Sequence, residues 1–491
     1  MTDLEGCAKK ALEDLANGVF EIAGEDQLAK PRQEYKQPPG SDEERSRLAG
    51  TWNSVLRDIK VRIGTLLKTD HLSFLFGAGV SRDAGGVLLG KVPLEVEKVL
   101  LDAGASGARV AKWLAVFYLA IRRLAPDGTD LPLGRDGILK RKQKLEKALA
   151  ESDEKKRSSA QIAVAFENLL SLLYRWNEIL TNSDSRLRID GTPAVAITKA
   201  GLERCLKETM AAFVSACCLP RGVEDEVALA PFNDFFKKVL TRPLNLRRTA
   251  LFTLNYDLLV EKAADANGIV LLDGFVGTER RVFRPEAYDH DLYFPGDTTE
   301  GRVHRLDRVV HLYKLHGSVN WVSESPTWDN PYGVSVQAQP PEGSRILVYP
   351  TPAKYGETLG MPYAELFRRF AASVVRPQST LIVIGYGFGD PHVNTIIRQA
   401  LAIPSFTLVV VEPSPPDPDP ESDRFVARLR ARRDGRLWVL GGKTFGTFKA
   451  FVEHVLPDLH DQQILGKVIA TYRALGYGAD PSPDAGDEDG K

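Results

Sequence analysis

Apolar positions recur along this chain at two different spacings, and the switches between them mark out its organisation. Near the start, Leu4, Ala8, Ala11 or Leu12, Leu15 and Val19 fall three or four residues apart, which predicts one face of an amphipathic helix. The stretch Lys36-Gln-Pro-Pro-Gly-Ser-Asp42 reads as a loop. Leu48, Trp52, Val55, Ile59, Ile63 and Leu66 then predict a second helix. The helical period breaks at Leu72 to Phe76, a short apolar run of the kind that forms a buried strand. From about 95 to 245 it returns. Ile138 to Leu149 reads as a charged helix and Glu151 to Ser159 as a solvated stretch. Gln161 to Leu180 reads as a core-facing helix carrying Ile162, Phe166, Leu169, Leu173, Trp176 and Leu180 on one side.

Strands reappear at Thr249 to Leu254, Val309 to Leu315, Arg345 to Tyr349, Leu381 to Gly385, Thr407 to Val411 and Leu437 to Leu440. Several are continuous apolar runs, as expected when helices cover both faces of a parallel sheet. Tyr363 to Val375 and Val393 to Ala402 supply helices between them. The alternation predicts an α/β fold: a Rossmann-like doubly wound parallel sheet with a large helical insertion and an N-terminal helical segment. Residues 1–65 form that segment, residues 66–475 the α/β domain with its insertion at about 95–245, and residues 476–491, rich in Pro, Gly and Asp, a disordered tail. No internal repeat is visible.

Composition narrows the class. At 491 residues the chain can bury a sizeable core, and 43% hydrophobic with 26% charged residues suits a soluble globular protein. A net charge of -1 gives no global pull toward nucleic acid or membrane. The N-terminus lacks signal-peptide order, and no apolar run approaches the ~18 residues of a membrane helix. A cytoplasmic location away from the membrane is expected. Four cysteines, Cys7, Cys205, Cys217 and Cys218, suit a reducing compartment.

Chemistry gathers at the ends of the predicted strands. Gly77-Ala78-Gly79 follows the first, with a polar helix expected to open at Ser81; two glycines let backbone N–H groups approach a phosphate, and a helix start favours the anion. Thr253-Leu-Asn255-Tyr-Asp257, Leu315-His316-Gly-Ser318 and Gly385-Tyr-Gly387-Phe388-Gly-Asp390 each end a later apolar run. In a doubly wound sheet such ends share one crevice, so sequence separation does not keep these residues apart. Simpler roles also fit. Asn255 and Asp257 can cap the helix Leu258 to Ala264, Asp390 before Pro391 has the order of an N-cap and first helical residue, and Ser81 can cap its helix while donating to a phosphate. For Asp390 capping is the preferred account; for Asp257 capping and function stand equal. His71 and His392 are given no catalytic role, and His290, His304 and His311 lack the spacing of a metal site.

Taken in order, these four segments resemble the sirtuin family: a Gly-Ala-Gly-x-Ser loop, a Thr-x-Asn-x-Asp strand end, a His-Gly pair and a later glycine-rich strand end. The resemblance spans roughly residues 66 to 460. Within the superfamily it is most similar to bacterial sirtuin-like proteins of anti-phage defence, which carry Asn-Tyr-Asp, Gly-Tyr-x-Phe-Gly-Asp and a following helical Asn, here Asn394. The resemblance implies NAD as substrate, with Asn255 and His316 as leading catalytic residues and Asp257 as a lesser one. It implies NAD contacts from Gly77, Ala78, Gly79, Ser81, Thr253, Gly385, Gly387, Phe388 and Asp390. The nicotinamide–ribose bond already has a cationic leaving group, so it needs oxocarbenium stabilisation and a placed nucleophile, with a histidine to take a proton.

Departures from the deacetylating members matter. Their structural zinc sits in two Cys-x-x-Cys pairs, which this chain lacks, so no metal is expected. Asp83-Ala-Gly-Gly-Val-Leu-Leu89 replaces their Gly-Ile-Pro-Asp-Phe-Arg type of segment. Water therefore becomes the expected acceptor, making the chain an NAD⁺ hydrolase that releases nicotinamide and ADP-ribose, a defence effector depleting NAD. Alternatives are an NAD-dependent protein deacylase and a non-catalytic nucleotide sensor. The resemblance further implies a homo-oligomer and a regulatory protein partner, in related systems a P-loop ATPase, an Argonaute or a phage protein. The chain has no Gly-x-x-x-x-Gly-Lys-Ser/Thr loop of its own. The Leu4 to Val19 face is expected either to pack on its own domain or to dock on a neighbouring subunit.

Overall fold

The computed structural model describes residues 4–36, 39–106, 109–125, 134–150, 164, 166–182, 197–295, 303–338, 346–348 and 361–459. Expectations for Glu151 to Ser159, for Ile162 and for the 476–491 tail lie outside the described residues. The long helices read from periodicity are present: α1 (Leu4–Asn17) and α2 (Asp42–Leu67). The insertion brings α3 (Val92–Gly104), α4 (Lys112–Leu124), α5 (Arg135–Ala150), α6 (Phe166–Asn182) and α7 (Lys199–Cys217). Later come α8 (Asp225–Val239), α9 (Leu259–Ala266), α10 (Tyr363–Val374) and α11 (Pro391–Ala400). α2 starts where its sequence says it should. Ser41 accepts from the Glu44 amide while the Glu44 side chain reaches back to the Ser41 amide, a capping box that satisfies two orphan donors.

The central sheet holds nine strands: β1 (Gly18–Ile22), β2 (Glu25–Asp26), β3 (His71–Phe76), β4 (Ala250–Thr253), β5 (Val270–Leu272), β6 (Val309–Lys314), β7 (Ser379–Ile384), β8 (Thr407–Glu412) and β9 (Leu437–Gly441). Their order is β2-β1-β9-β8-β7-β3-β4-β6-β5. Every pairing from β9 to β5 is parallel, and β1 and β2 add an antiparallel edge. The chain goes from β3 to β4 on one side and returns to β7 on the other. This is the doubly wound arrangement, with its switch point between β3 and β7.

Strand alternation divides the core. Leu72, Phe74 and Phe76 of β3, with Ile382 and Ile384 of β7, face α1, α2, α8 and α9. Leu75, Leu381 and Val383 face α10, α11 and a second sheet. That second sheet is antiparallel and was not anticipated. It pairs Ile346–Val348, Gly317–Ser323, Val334–Val336, Arg281–Phe283 and Phe275–Val276 in that order. The strand expected at Arg345 to Tyr349 belongs here and not to the parallel sheet, because its partner is the hairpin that leaves β6. The insertion forms a third core, joined to the rest through Tyr256 and Val319.

The N-terminal segment departs from its helical reading in two ways. Val19, expected to complete the helix face, lies in β1 and pairs with Gly441. Gly18 weakens the helix, and pairing with the exposed edge of β9 satisfies backbone groups that another helical turn would only have exposed. Ala8, Ala11 and Leu15 are buried in the same core as β3 and β7, so this face packs on its own domain and is not offered to a neighbour. Among the described residues, no helix is long and apolar enough to cross a membrane.

Candidate active site

The four singled-out segments leave the carboxyl ends of β7, β3, β4 and β6, which are consecutive neighbours in the sheet. Register aligns them closely. Thr253 pairs with Phe76 on one side and with Lys314 on the other, so Asn255 and His316 each lie two residues past a paired position. The amides of Leu254 and Leu315 carry the ladder one step further, donating to Phe76 and Thr253 carbonyls at 2.9 Å each. Convergence of the motifs is therefore a consequence of strand pairing.

The glycine loop packs closely against the loop that follows β7. Gly77, Gly79 and Val80 donate their amides to the carbonyls of Ile384, Gly385 and Gly77, so these three are not free to cradle a phosphate. The reason for glycine here is close approach between two loops. A Cβ on Gly77 would lie 2.6 Å from the Gly385 carbonyl oxygen, and one on Gly79 would lie 2.7 Å from the Gly385 Cα. Gly385 itself has φ +64, a left-handed conformation that glycine adopts without steric cost. Nor does a helix open at Ser81. Ala78–Ala84 form a tight 3-10 turn that carries Ser81 buried inside it.

Burying Ser81 makes it a hub. Its Oγ donates to Asp257 Oδ2 at 2.6 Å and accepts from Asn255 Nδ2 at 2.9 Å. Asn255 Nδ2 also donates to the Gly77 carbonyl at 3.0 Å. Both amide hydrogens of Asn255 are thus committed to the glycine loop, which leaves the Oδ1 acceptor for a ligand hydroxyl or water. Asn255 does not cap the following helix. Thr253 Oγ1 accepts the Asn255 amide at 3.0 Å and holds the turn. Asp257 splits its oxygens: Oδ2 takes Ser81, while Oδ1 accepts the Leu259 amide at 3.1 Å in an Asx turn that leads into α9.

His316 Nε2 lies 3.0 Å from Asp390 Oδ2, and both side chains are 15% exposed. Asp390 also caps α11, its other oxygen accepting the amides of His392 at 2.7 Å and Val393 at 3.5 Å. Capping, the preferred account, is therefore half of what this residue does. Burial would push the Asp390 carboxyl up, but hydrogen bonds from His316 and the two amides outweigh it and hold it below its usual range. An ionised Asp390 accepts Nε2–H and stabilises the tautomer whose lone pair is on Nδ1, the arrangement a proton-accepting imidazole needs. The ring sits between Tyr256 and Phe367, each with its centroid 6.3 Å away.

The remaining predicted contacts shape the loop after β7. Gly387 is exposed, whereas Phe388 is left-handed at φ 54 and stacks on Phe425. Asn394 Nδ2 holds the Phe388 carbonyl at 2.8 Å, and the Tyr386 hydroxyl accepts the Asp390 amide at 2.9 Å. Sequence reasoning missed Lys314. Its buried ammonium donates to the Asp257 carbonyl and, at 2.8 Å, to Glu261 Oε1, tying β6 to the turn that presents Asn255. Burial nevertheless leaves the Glu261 carboxyl raised. A charge inside an otherwise apolar strand was the available signal.

Residues 249–431 match the SIR2-like domain family. No curated protein matches the chain. The matched stretch contains Asn255, Asp257, His316 and Gly385 to Asp390. Gly77 to Ser81 lie upstream of it, joined to it through the Asn255, Asp257 and Gly385 contacts.

Proposed function

We propose that this protein is an NAD⁺ hydrolase that cleaves the nicotinamide–ribose bond to release nicotinamide and ADP-ribose. SIR2-like domains use NAD. The observation that carries the reading is the paired placement of Asn255 and His316 at equivalent positions past β4 and β6, with Asp390 bound to the imidazole Nε2. In this reading His316 takes a proton from water or a ribose hydroxyl, and Asp390 balances the imidazolium that results. Asn255 Oδ1 positions the proton donor without adding charge. A nucleotide sensor would have no use for such a dyad, which favours turnover over binding alone.

Water as acceptor is supported by how the chain departs from the deacylating pattern. The chain lacks the two Cys-x-x-Cys pairs of a zinc module and carries instead an antiparallel sheet and a helical insertion with its own core. The resemblance to defence proteins supports a role in depleting NAD during phage attack, held in check by assembly or by a protein partner. Incubating the purified protein with NAD⁺ and resolving products by chromatography tests the reaction. Nicotinamide and ADP-ribose in equal amounts are expected. O-acyl-ADP-ribose formed only with an acylated peptide would replace hydrolysis by deacylation, and bound but intact NAD⁺ would leave a sensor.

A further inference from the structure

The strands that end at the candidate active site begin about 20 Å away, at the amino edge of the sheet. A cleft of about 450 Å³ opens there, where β3, β4 and β6 start and α10 ends. That volume falls within the range of small-molecule sites. Its lining is strongly cationic: Arg247, Arg248, Arg305, Arg368, Arg369 and Arg376.

Carboxylates account for only part of this charge. Asp291 binds both Arg248 and Arg305, at 2.7 Å each. Asp289 binds Arg369 at 2.8 Å, and Glu365 holds Arg368 and Arg369 at 2.6 Å. Among the described residues, three carboxylates pair with four of these six arginines. Arg247 and Arg376 have no carboxylate partner among the described residues. Arg376 instead points Nη1 at His71 Nδ1, 3.5 Å away. Burial, then Arg376 and Arg247, hold the His71 imidazole below its ordinary range, so the cluster carries like charges that strain one another. A concave surface carrying two guanidinium groups without carboxylate partners suits an anion.

We propose that this amino-edge cleft binds a small phosphorylated molecule carrying two or more negative charges, held by Arg247 and Arg376 from two elements of the fold. Phosphate oxygens match the forked guanidinium geometry and the charge surplus together. The site is separate from the Asn255–His316 edge and does not depend on the NAD reading.

Calorimetric titration of the full chain with inorganic pyrophosphate tests this. Three variants accompany the wild type: R247Q/R376Q, the charge-preserving R247K/R376K, and R57Q/R428Q, which removes two exposed charges elsewhere. Affinity should fall at least about tenfold in R247Q/R376Q, the loss expected of charge-assisted hydrogen bonds, by less in R247K/R376K, which keeps the charge but loses the fork, and little in R57Q/R428Q. R376Q alone gives an intermediate loss and serves if the double variant melts early. Equal weakening in R247Q/R376Q and R57Q/R428Q would mean that pyrophosphate senses net charge only, and would overturn the site. So would the absence of binding to the wild type, including the case in which the cleft accepts only an acidic protein segment.

Discussion

The two ends of the same parallel strands are built on opposite principles. At the carboxyl edge the polar groups are few, buried or half-buried, and hydrogen-bonded in two sets, Ser81 with Asn255 and Asp257, and His316 with Asp390. At the amino edge, six arginines line an open cleft, and two of them, Arg247 and Arg376, have no carboxylate partner among the described residues. The first edge fixes geometry, and a reacting group must be held still to be useful. The second stores uncompensated charge, which suits capture of an anion more than chemistry on it.

The contrast can be broken most forcefully beneath the carboxyl edge. Lys314→Met removes one partner of the buried ion pair with Glu261 and its tie to the Asp257 carbonyl, so it should cost about 3–5 kcal/mol of stability in denaturant titration. A loss under about 1 kcal/mol would show that the edge is not braced in this way. His316→Ala should largely separate chemistry from stability: NAD⁺ hydrolysis falls by at least about 10²-fold, while stability falls only by the roughly 1 kcal/mol of its hydrogen bond to Asp390. Wild-type turnover in that variant would end the assignment.

Ser81→Ala should disturb both properties. It leaves Asp257 Oδ2 buried without its donor and frees one Asn255 hydrogen, costing about 1–3 kcal/mol and slowing hydrolysis. Asp390→Asn sharpens the picture through pH. A carboxyl held low in the native state stabilises it above the ordinary carboxylate pKa of about 3.9, and the contribution drains away as pH falls through the lowered value. The variant should therefore be about 1 kcal/mol less stable near neutrality, with the gap closing in acid. A gap that is constant down to pH 3 would contradict the sign. The smallest effect belongs to the other edge. Arg376→Gln, with no carboxylate to lose, should shift stability by no more than about 0.5 kcal/mol without ligand and leave NAD⁺ turnover unchanged.

Much of the active edge was legible because strand periodicity and glycine placement are local signals. Leu72 to Phe76 was legible as a buried strand, and the Gly-x-Gly turn after it was legible as a place of close backbone approach; that the Gly385 loop is what approaches it was not. The His316–Asp390 contact was not legible, since 74 residues separate its members and Asp390 already satisfied a local reading as a cap. The second sheet escaped notice because its strands run two to seven residues, too short to display a period. Arginines of the amino-edge cleft are scattered from Arg247 to Arg376 and carry no spacing at all.

The chain by itself determined the long helices, the longer parallel strands and which polar residues follow them, because those depend on neighbours within a few residues. Tertiary structure alone decided which ends lie side by side, that Ser81 joins Asn255 to Asp257, and that surplus arginines gather at the opposite edge. Strand order is set by packing helices on both faces of one sheet. That packing acts between residues far apart in the chain and leaves no periodic trace in it.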